Sequence, residues 1–135
     1  MSTKVKYKVF DRQKFFNKTA RHLLKQNAKA LKNKVTCVYL DEKTGNQCAL
    51  GCHIPPSKYR SSLEGDGIWG RAPQLLNAMG YRPALSIHVG SDSPLHFMAS
   101  LQRIHDGHHV DEWPDRLRSF AREHNLTLPP CLQQK

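Results

Sequence analysis

The sequence predicts a single α+β domain that is mainly helical and contains a small β-hairpin or short sheet. Three observations lead to this class. The chain has 135 residues, the size of one compact domain. Apolar residues recur at helical spacing near the beginning and in the last third of the chain. A short β-branched segment with a turn lies between these regions.

The first predicted helix covers residues 11–32. Asp11 is suited to the N-cap position, and the segment contains neither glycine nor proline. Phe16, Ala20 and Leu23 fall on one face at helical spacing. We expect this face to pack on the last two predicted helices, which begin near Pro94 and Asp111.

The β element is predicted between residues 35 and 50. Residues 35–40 are β-branched and aromatic, residues 41–46 are typical of a turn, and residues 47–50 resume an apolar segment. These pieces indicate a short hairpin, or a strand that leads into a helix. Residues 57–73 follow with three glycines and little periodicity, so they predict a long loop.

The domain limits follow from composition. Residues 1–10 are rich in lysine and form a basic N-terminal arm or an edge strand. Residues 11–126 form the predicted globular domain. Residues 127–135 contain a Pro-Pro pair and are predicted to be a C-terminal tail.

The positive charge is concentrated at one end of the chain. The formal net charge is +10, and residues 1–34 hold eleven Lys or Arg residues against a single acid. The other 101 residues carry ten basic and ten acidic groups. This asymmetry favours a polyanionic partner.

Six of these cations share one side of the first predicted helix, within a sector of about 80°. They are Lys14, Lys18, Arg21, Lys25, Lys29 and Lys32. Like charges in such a row repel one another by roughly 0.2–0.5 kcal/mol per pair. The row is either a solvated helix face or a ridge that binds a polyanion.

The cysteine positions permit a structural zinc site. Cys37, Cys48 and Cys52 lie within sixteen residues and His53 follows directly, which gives four N or S donors at acceptable spacing. Two alternatives remain open, namely buried structural cysteines and a reactive thiol. Cys131, in the predicted tail, belongs to none of these.

The histidines give a second chemical hypothesis. Imidazole and carboxylate groups meet in the cluster His105, Asp106, His108 and His109, and such ligands suit a metal-dependent hydrolase or nuclease. His105 also falls near an apolar stripe, where it would be a core residue. The sequence contains no phosphate-binding loop, dinucleotide fingerprint or H-E-x-x-H motif.

No apolar stretch reaches the 18 residues that a membrane span requires, and the N-terminus lacks the apolar core of an export signal. We therefore expect a protein of the cytosol without a membrane partner. Four cysteines in that compartment are more often reduced thiols or metal ligands than disulfides.

A set of separated motifs resembles a group of short uncharacterised proteins of bacteria and their phages. The motifs are Cys37-Val-Tyr39, Gly45, Cys48-Ala-Leu-Gly51-Cys52-x-Ile54-Pro55, Tyr59, Leu63-Glu64-Gly65, Leu101-Gln102-x-Ile104-His105-Asp106 and Trp113. The resemblance implies an α+β domain in a bacterial host cytosol and assigns no catalytic residue. His53 departs from the apolar residue expected there, and the lysine-rich segment is more basic than the group requires.

Together these observations predict a non-enzymatic binding protein that uses its basic helix. Its partner would be nucleic acid, or the nucleic-acid channel of a host enzyme that it inhibits or redirects. No cofactor is expected apart from the possible structural zinc. The metal-dependent hydrolase is the alternative.

Overall fold

The computed structural model describes residues 6–32, 36–65, 67–87, 90 and 92–133. Within these ranges the chain forms five α-helices, connected by loops and short 3-10 turns. The helices are α1 (Arg12–Gln26), α2 (Gly67–Gly70), α3 (Ala72–Met79), α4 (Pro94–Gly107) and α5 (Trp113–Glu123). In the part of the chain described, no helix combines the length and the apolar character needed to cross a membrane.

Helix α1 begins where the sequence predicts and ends earlier. The Asp11 side chain caps it by accepting a hydrogen bond from the Lys14 N–H at 3.0 Å. The helix stops at Gln26 because Asn27 adopts the left-handed conformation, with φ 51° and ψ 35°. The Asn27 N–H then donates to the Leu23 carbonyl, which closes the last turn. The predicted helix over residues 11–32 is therefore about two turns too long.

The predicted α+β class is wrong, because the described residues are mainly helical and the predicted hairpin does not form a sheet. Extended pairing in the described residues is limited to β1 (Leu31–Lys32) against β2 (Thr36–Cys37), antiparallel over two residue pairs, and one isolated bridge between Leu40 and Gln47. Pairing this short does not form a sheet layer. The architecture is a helical domain with an irregular segment between α1 and α2.

A carboxylate explains why the β segment does not develop further. The Glu64 side chain accepts hydrogen bonds from the backbone N–H of Tyr39 at 3.0 Å and of Leu40 at 3.3 Å. It also accepts one from the Tyr59 hydroxyl at 2.8 Å. These bonds satisfy N–H groups that would otherwise need a partner strand.

The core forms where α1 packs on the last two helices, as the apolar spacing predicts. Phe16 of α1 stacks on Phe120 of α5 with ring centroids 5.6 Å apart, and Phe97 of α4 meets the same ring edge-on at 5.1 Å. Leu101 and Trp113 are fully buried in the same cluster. The packing fixes one face of α1 inward and leaves the opposite face to solvent.

The last described residues pack against the domain. Leu132, within the predicted tail of residues 127–135, is fully buried, and its carbonyl accepts from Arg118 Nε at 2.9 Å. Thr127 and Gln13 exchange two hydrogen bonds of 2.9 Å each. The end of the chain thus contributes to the packing around α1 and α5.

Of the predicted arm over residues 1–10, the first five lie outside the described part of the chain. The Lys8 N–H donates to the Gly80 carbonyl at 2.8 Å, and its ammonium lies 4.8 Å from the centroid of the Tyr81 ring. Phe10 packs against the aromatic cluster of the core. This segment is anchored beside the end of α3.

Gly51 occupies a position that admits no side chain. A Cβ built there would overlap the backbone carbonyl of Tyr39, which cannot move aside as a flexible side chain can. The Tyr39 carbonyl is itself held, because it accepts a hydrogen bond from the Cys48 N–H at 3.2 Å. The close approach holds the irregular segment against the core.

We expect Gly51→Ala to lower the free energy of unfolding by about 3 kcal/mol or more, since the backbone must shift to make room. Urea denaturation followed by tryptophan fluorescence measures this. Gly107→Ala is the matched control, because a Cβ at Gly107 meets nothing within 4 Å. Equal stability of the two variants would contradict the steric argument.

Candidate polyanion-binding surface

Four cations of α1 form a continuous row, here called the basic ridge: Lys14, Lys18, Arg21 and Lys25. All four side chains are exposed, and their spacing places them on one side of the helix. The row extends about 16 Å along the helix axis. Among the described residues, none of the four forms an ion pair with a carboxylate.

Two of the six cations predicted for this surface lie beyond the helix. Lys29 follows the end of α1 and is half-buried, and its carbonyl accepts a hydrogen bond from Asn46 Nδ2 at 3.4 Å. Lys32 belongs to β1, and its side chain lies outside the described residues. The structure therefore brings four of the six predicted cations into one row.

The helix that carries the basic ridge is held in place by its buried side chains. Phe15, Phe16 and Leu23 on the opposite face of α1 are at most 2% exposed. Burial of these side chains holds the helix in place without a contribution from the cations.

The positive charge of the ridge acts on neighbouring groups. Burial lowers the pKa values of Lys8, His22 and His53, and the charge of Lys18 lowers each of them further. A cation with a carboxylate partner close by would exert a weaker field. The surface around α1 thus has a positive potential that an anion can neutralise.

The residues of the predicted zinc site have separate partners. Cys48 Sγ accepts a hydrogen bond from the Gly51 N–H at 3.2 Å, and the Cys52 thiol donates to the Ala49 carbonyl at 3.4 Å. Burial raises the pKa of Cys52 to about 12 and also raises that of Cys48. Both groups are therefore protonated thiols inside the protein, as expected of structural cysteines.

His53 is packed rather than open to a ligand. Its ring stacks on Phe15 with centroids 3.6 Å apart and an interplanar angle of 5°, and its Nε2 lies 2.7 Å from Thr19 Oγ1. The Thr19 hydroxyl donates to the Ala49 carbonyl, so Nε2 carries the proton and donates to Thr19. Burial, with the nearby positive charges, lowers the pKa of His53 to about 3.

Cys37 lies instead beside His105 and Asp106. Of the described residues, these three are the ones whose possible ligand atoms come together, all within 4.8 Å of one another. His105 is fully buried, and its Nε2 accepts a hydrogen bond from the Ala30 N–H at 3.0 Å. Its Nδ1 must then carry the ring proton, which it donates to Asp106 Oδ1 at 2.7 Å. Because both ring nitrogens are used, His105 offers no lone pair to a metal ion.

The same cluster does not activate its thiol. Burial, the negative charge of Asp106 and a hydrogen bond to Asp106 together raise the pKa of Cys37 to about 11. A nucleophilic cysteine needs the opposite shift. Asp106 also accepts from Gln102 Nε2 at 2.8 Å, so its carboxylate is held in a structural network.

The other histidines of the predicted hydrolase cluster have their own partners. His108 Nδ1 lies 3.2 Å from Glu112 Oε2. His109 Nδ1 accepts from the Asp111 N–H at 3.3 Å and caps a short 3-10 turn before α5. The arrangement provides no shared metal position among the described residues, since the only convergent set excludes both of these histidines.

A polar groove between α4 and α5 was not among the sites suggested by the sequence. Its volume is about 590 Å³, and its lining includes three arginines and three histidines: Arg12, Arg103, Arg116, His96, His108 and His124. The sequence feature that could have indicated the groove is the helical spacing of His96, Ser100 and Arg103, which places these residues on one side of a helix. That spacing is weak evidence, because the groove also depends on residues of two other helices.

The structure thus defines a small helical domain with a basic helix face and a polar groove. No protein-family model, curated protein or solved structure matches the chain. Function is therefore inferred from the chemistry and placement of the side chains.

We expect His105→Ala to lower the free energy of unfolding by about 4 kcal/mol, because it removes a buried ring and leaves the Ala30 N–H without its acceptor. His109→Ala should change it by less than about 0.5 kcal/mol, since its side chain is 75% exposed. Urea denaturation compares the two. Unchanged stability of His105→Ala would contradict the structural role.

Acidification should destabilise the protein partly through His53. Its pKa falls from 6.5 to about 3 on folding, so only the unfolded chain takes up this proton between these values. The contribution of this pKa difference to the free energy of unfolding is fully present above pH 6.5. It is lost as pH falls towards 3, by about 1.4 kcal/mol per pH unit. Denaturation curves between pH 6.5 and 4 should have a shallower pH dependence in His53→Gln than in the wild type or His109→Gln. Equal slopes would contradict this assignment.

Proposed function

We propose that this protein binds nucleic acid through the phosphate backbone, using the basic ridge of α1. The observation that supports the proposal most directly is the row of Lys14, Lys18, Arg21 and Lys25, exposed and without carboxylate partners in the described part of the chain. Surface lysines in most domains are interspersed with acids. Here the only described acid in or next to α1 is Asp11, which caps the helix.

Phosphate contacts fit the chemistry of this row. Lysine ammonium groups act as point charges towards phosphate, and Arg21 adds a planar guanidinium that can donate two parallel hydrogen bonds. A row of about 16 Å can follow several successive phosphates of a strand. Contacts from the four cations to the phosphate backbone carry no sequence information, so we expect binding to tolerate different base sequences.

Binding, rather than catalysis, agrees with the state of the chemical groups nearby. The His105 ring is fully hydrogen-bonded, and the thiol of Cys37 has a raised pKa. Neither the His105 ring nor the Cys37 thiol is therefore in the state needed to attack a substrate or to coordinate a metal ion.

We further propose that the protein acts in the cytosol of a bacterium, where a phage product of this type would meet host nucleic acid. All four cysteines are free thiols, as in a reducing compartment. The suspected resemblance of the cysteine and Leu101–Asp106 motifs to short bacterial and phage proteins suggests the same setting. A nucleic-acid channel of a host enzyme is the other partner that a row of cations would suit.

Salt dependence tests the proposal quantitatively. Four phosphate contacts on a 20-base-pair duplex should give a slope of log K against log[NaCl] of about −4. Fluorescence anisotropy between 50 and 300 mM NaCl measures it, and we expect dissociation constants of about 1–100 µM near physiological salt. A slope near zero would overturn the nucleic-acid proposal.

Charge reversal locates the binding surface. We expect the combined variant Lys18→Glu, Arg21→Glu and Lys25→Glu to weaken duplex binding at least 100-fold at 50 mM NaCl. It should stay folded, because the buried face of α1 is untouched and repulsion along the ridge is relieved.

The matched control reverses three exposed cations elsewhere, in Lys43→Glu, Lys58→Glu and Arg60→Glu. This variant has the same net charge and should lose less than tenfold. Equal losses in the two variants would show that net charge, and not the ridge, drives binding. If a nuclease-treated bacterial lysate yields one host protein that the ridge variant no longer retains, and duplex DNA does not bind, the partner is that protein.

A further inference from the structure

We propose that the groove between α4 and α5 is a second binding site, which takes a phosphorylated small molecule that also carries hydroxyl groups. The groove measures about 590 Å³, within the range of sites for small ligands. It differs from the proposed nucleic-acid surface in position and in the elements that build it.

The two helices run in opposite directions along the groove. Phe97, next to His96 near the start of α4, contacts the His124 ring at the end of α5 with centroids 5.2 Å apart, whereas His105 near the end of α4 stacks on Trp113 at the start of α5 with centroids 5.5 Å apart. Arg103 lies seven residues after His96, about 10 Å further along α4. Arg116, in the first turn of α5, also lines the groove, and the opposite directions of the two helices place it towards the end where Arg103 lies. The groove thus has an arginine end, with Arg103 and Arg116, and a histidine end, where Arg12 lies 4.9 Å from the Phe97 ring and close to His124.

The two ends differ in charge. Arg103 and Arg116 are exposed, and within the described ranges neither forms an ion pair with a carboxylate. His108, which lines the same end, already has Glu112 as its partner at 3.2 Å. Two guanidinium groups without partners favour a phosphate dianion at this end, because each can donate two parallel hydrogen bonds.

Both carboxylates that line the groove belong to the histidine end. Asp92 precedes α4 by two residues, and Glu123 is close enough to His124 to raise its pKa against the lowering effects of burial and Arg12. The two carboxylates offset the positive charge of Arg12 at this end, and they accept hydrogen bonds from hydroxyl groups. This end therefore suits the hydroxylated part of a ligand, with the His124 ring fixed by stacking on Phe120 at 4.1 Å.

The groove is separate from the basic ridge. Arg12, the α1 residue that lines the groove, points about 160° away from the ridge around the helix axis. Changes in one site can therefore be made without changing the other.

Ribose 5-phosphate is a suitable probe, with ribose and inorganic phosphate as its two parts. Isothermal titration calorimetry on the full chain should show saturable binding at least fivefold tighter for ribose 5-phosphate than for phosphate, and none for ribose. The double variant Arg103→Gln and Arg116→Gln should weaken it at least tenfold. Absence of saturable binding by the wild type would overturn the proposal.

Two further variants test whether binding of ribose 5-phosphate depends specifically on the arginines of the groove. Arg60→Gln with Arg82→Gln removes two exposed arginines outside the groove and should leave the affinity within twofold. The ridge variant, reversed at Lys18, Arg21 and Lys25, should also bind ribose 5-phosphate normally, so failure of the nucleic-acid proposal is separable from failure of this one.

Circular dichroism establishes that each variant is folded. If a 20-nucleotide single strand binds and depends on Arg103 and Arg116 while ribose 5-phosphate does not bind, the groove belongs to nucleic acid and the small-ligand proposal is wrong. Equal losses from the two arginine pairs would likewise overturn it.

Discussion

The hydrogen bond from the Ala30 N–H to His105 Nε2 is the constraint on which the rest of the structure depends. It fixes the tautomer of a fully buried ring and thereby directs the Nδ1 proton to Asp106. Gln102 donates to the same carboxylate and accepts from the Leu50 N–H at 3.1 Å with its other amide atom. One polar stripe of α4 therefore ties down the chain that follows α1 and the segment that contains Cys48 and Cys52. An unsatisfied buried group at any step would cost about 1–3 kcal/mol.

This network belongs to the scaffold of the domain and is distinct from the two surfaces proposed to bind ligands. His105, Gly51 and Glu64 each hold the backbone of the irregular segment between α1 and α2. A histidine beside an aspartate suggests catalysis when only residue types are known. The hydrogen bonds of His105 and Asp106 show that this pair has a structural role.

Structural features that depend on neighbouring residues were predicted from the sequence better than features that depend on contacts between residues far apart in the chain. The start of α1 follows from Asp11 and the apolar face behind it, both within a few residues. Its end depends on the left-handed turn at Asn27, which an asparagine permits but does not require. The β segment failed to develop because Glu64, 25 residues away in the chain, takes the N–H group of Tyr39. The ridge was predictable as a helix face, whereas the groove needed the relative placement of three helices.

The ridge can remain unpaired because the opposite face of α1 supplies its stability. Repulsion among four like charges costs a few tenths of a kcal/mol per neighbouring pair, whereas burial of Phe16 alone contributes roughly 1.5–3 kcal/mol. The buried face therefore fixes the backbone of the row in advance, so in the proposed binding mode only the side chains of the cations have to be ordered. Linkage requires the reverse effect as well, since a polyanion that prefers the folded row must stabilise the fold in proportion to its occupancy. In the proposed binding mode, the affinity for a polyanion and the rise in the free energy of unfolding in its presence therefore report the same interaction.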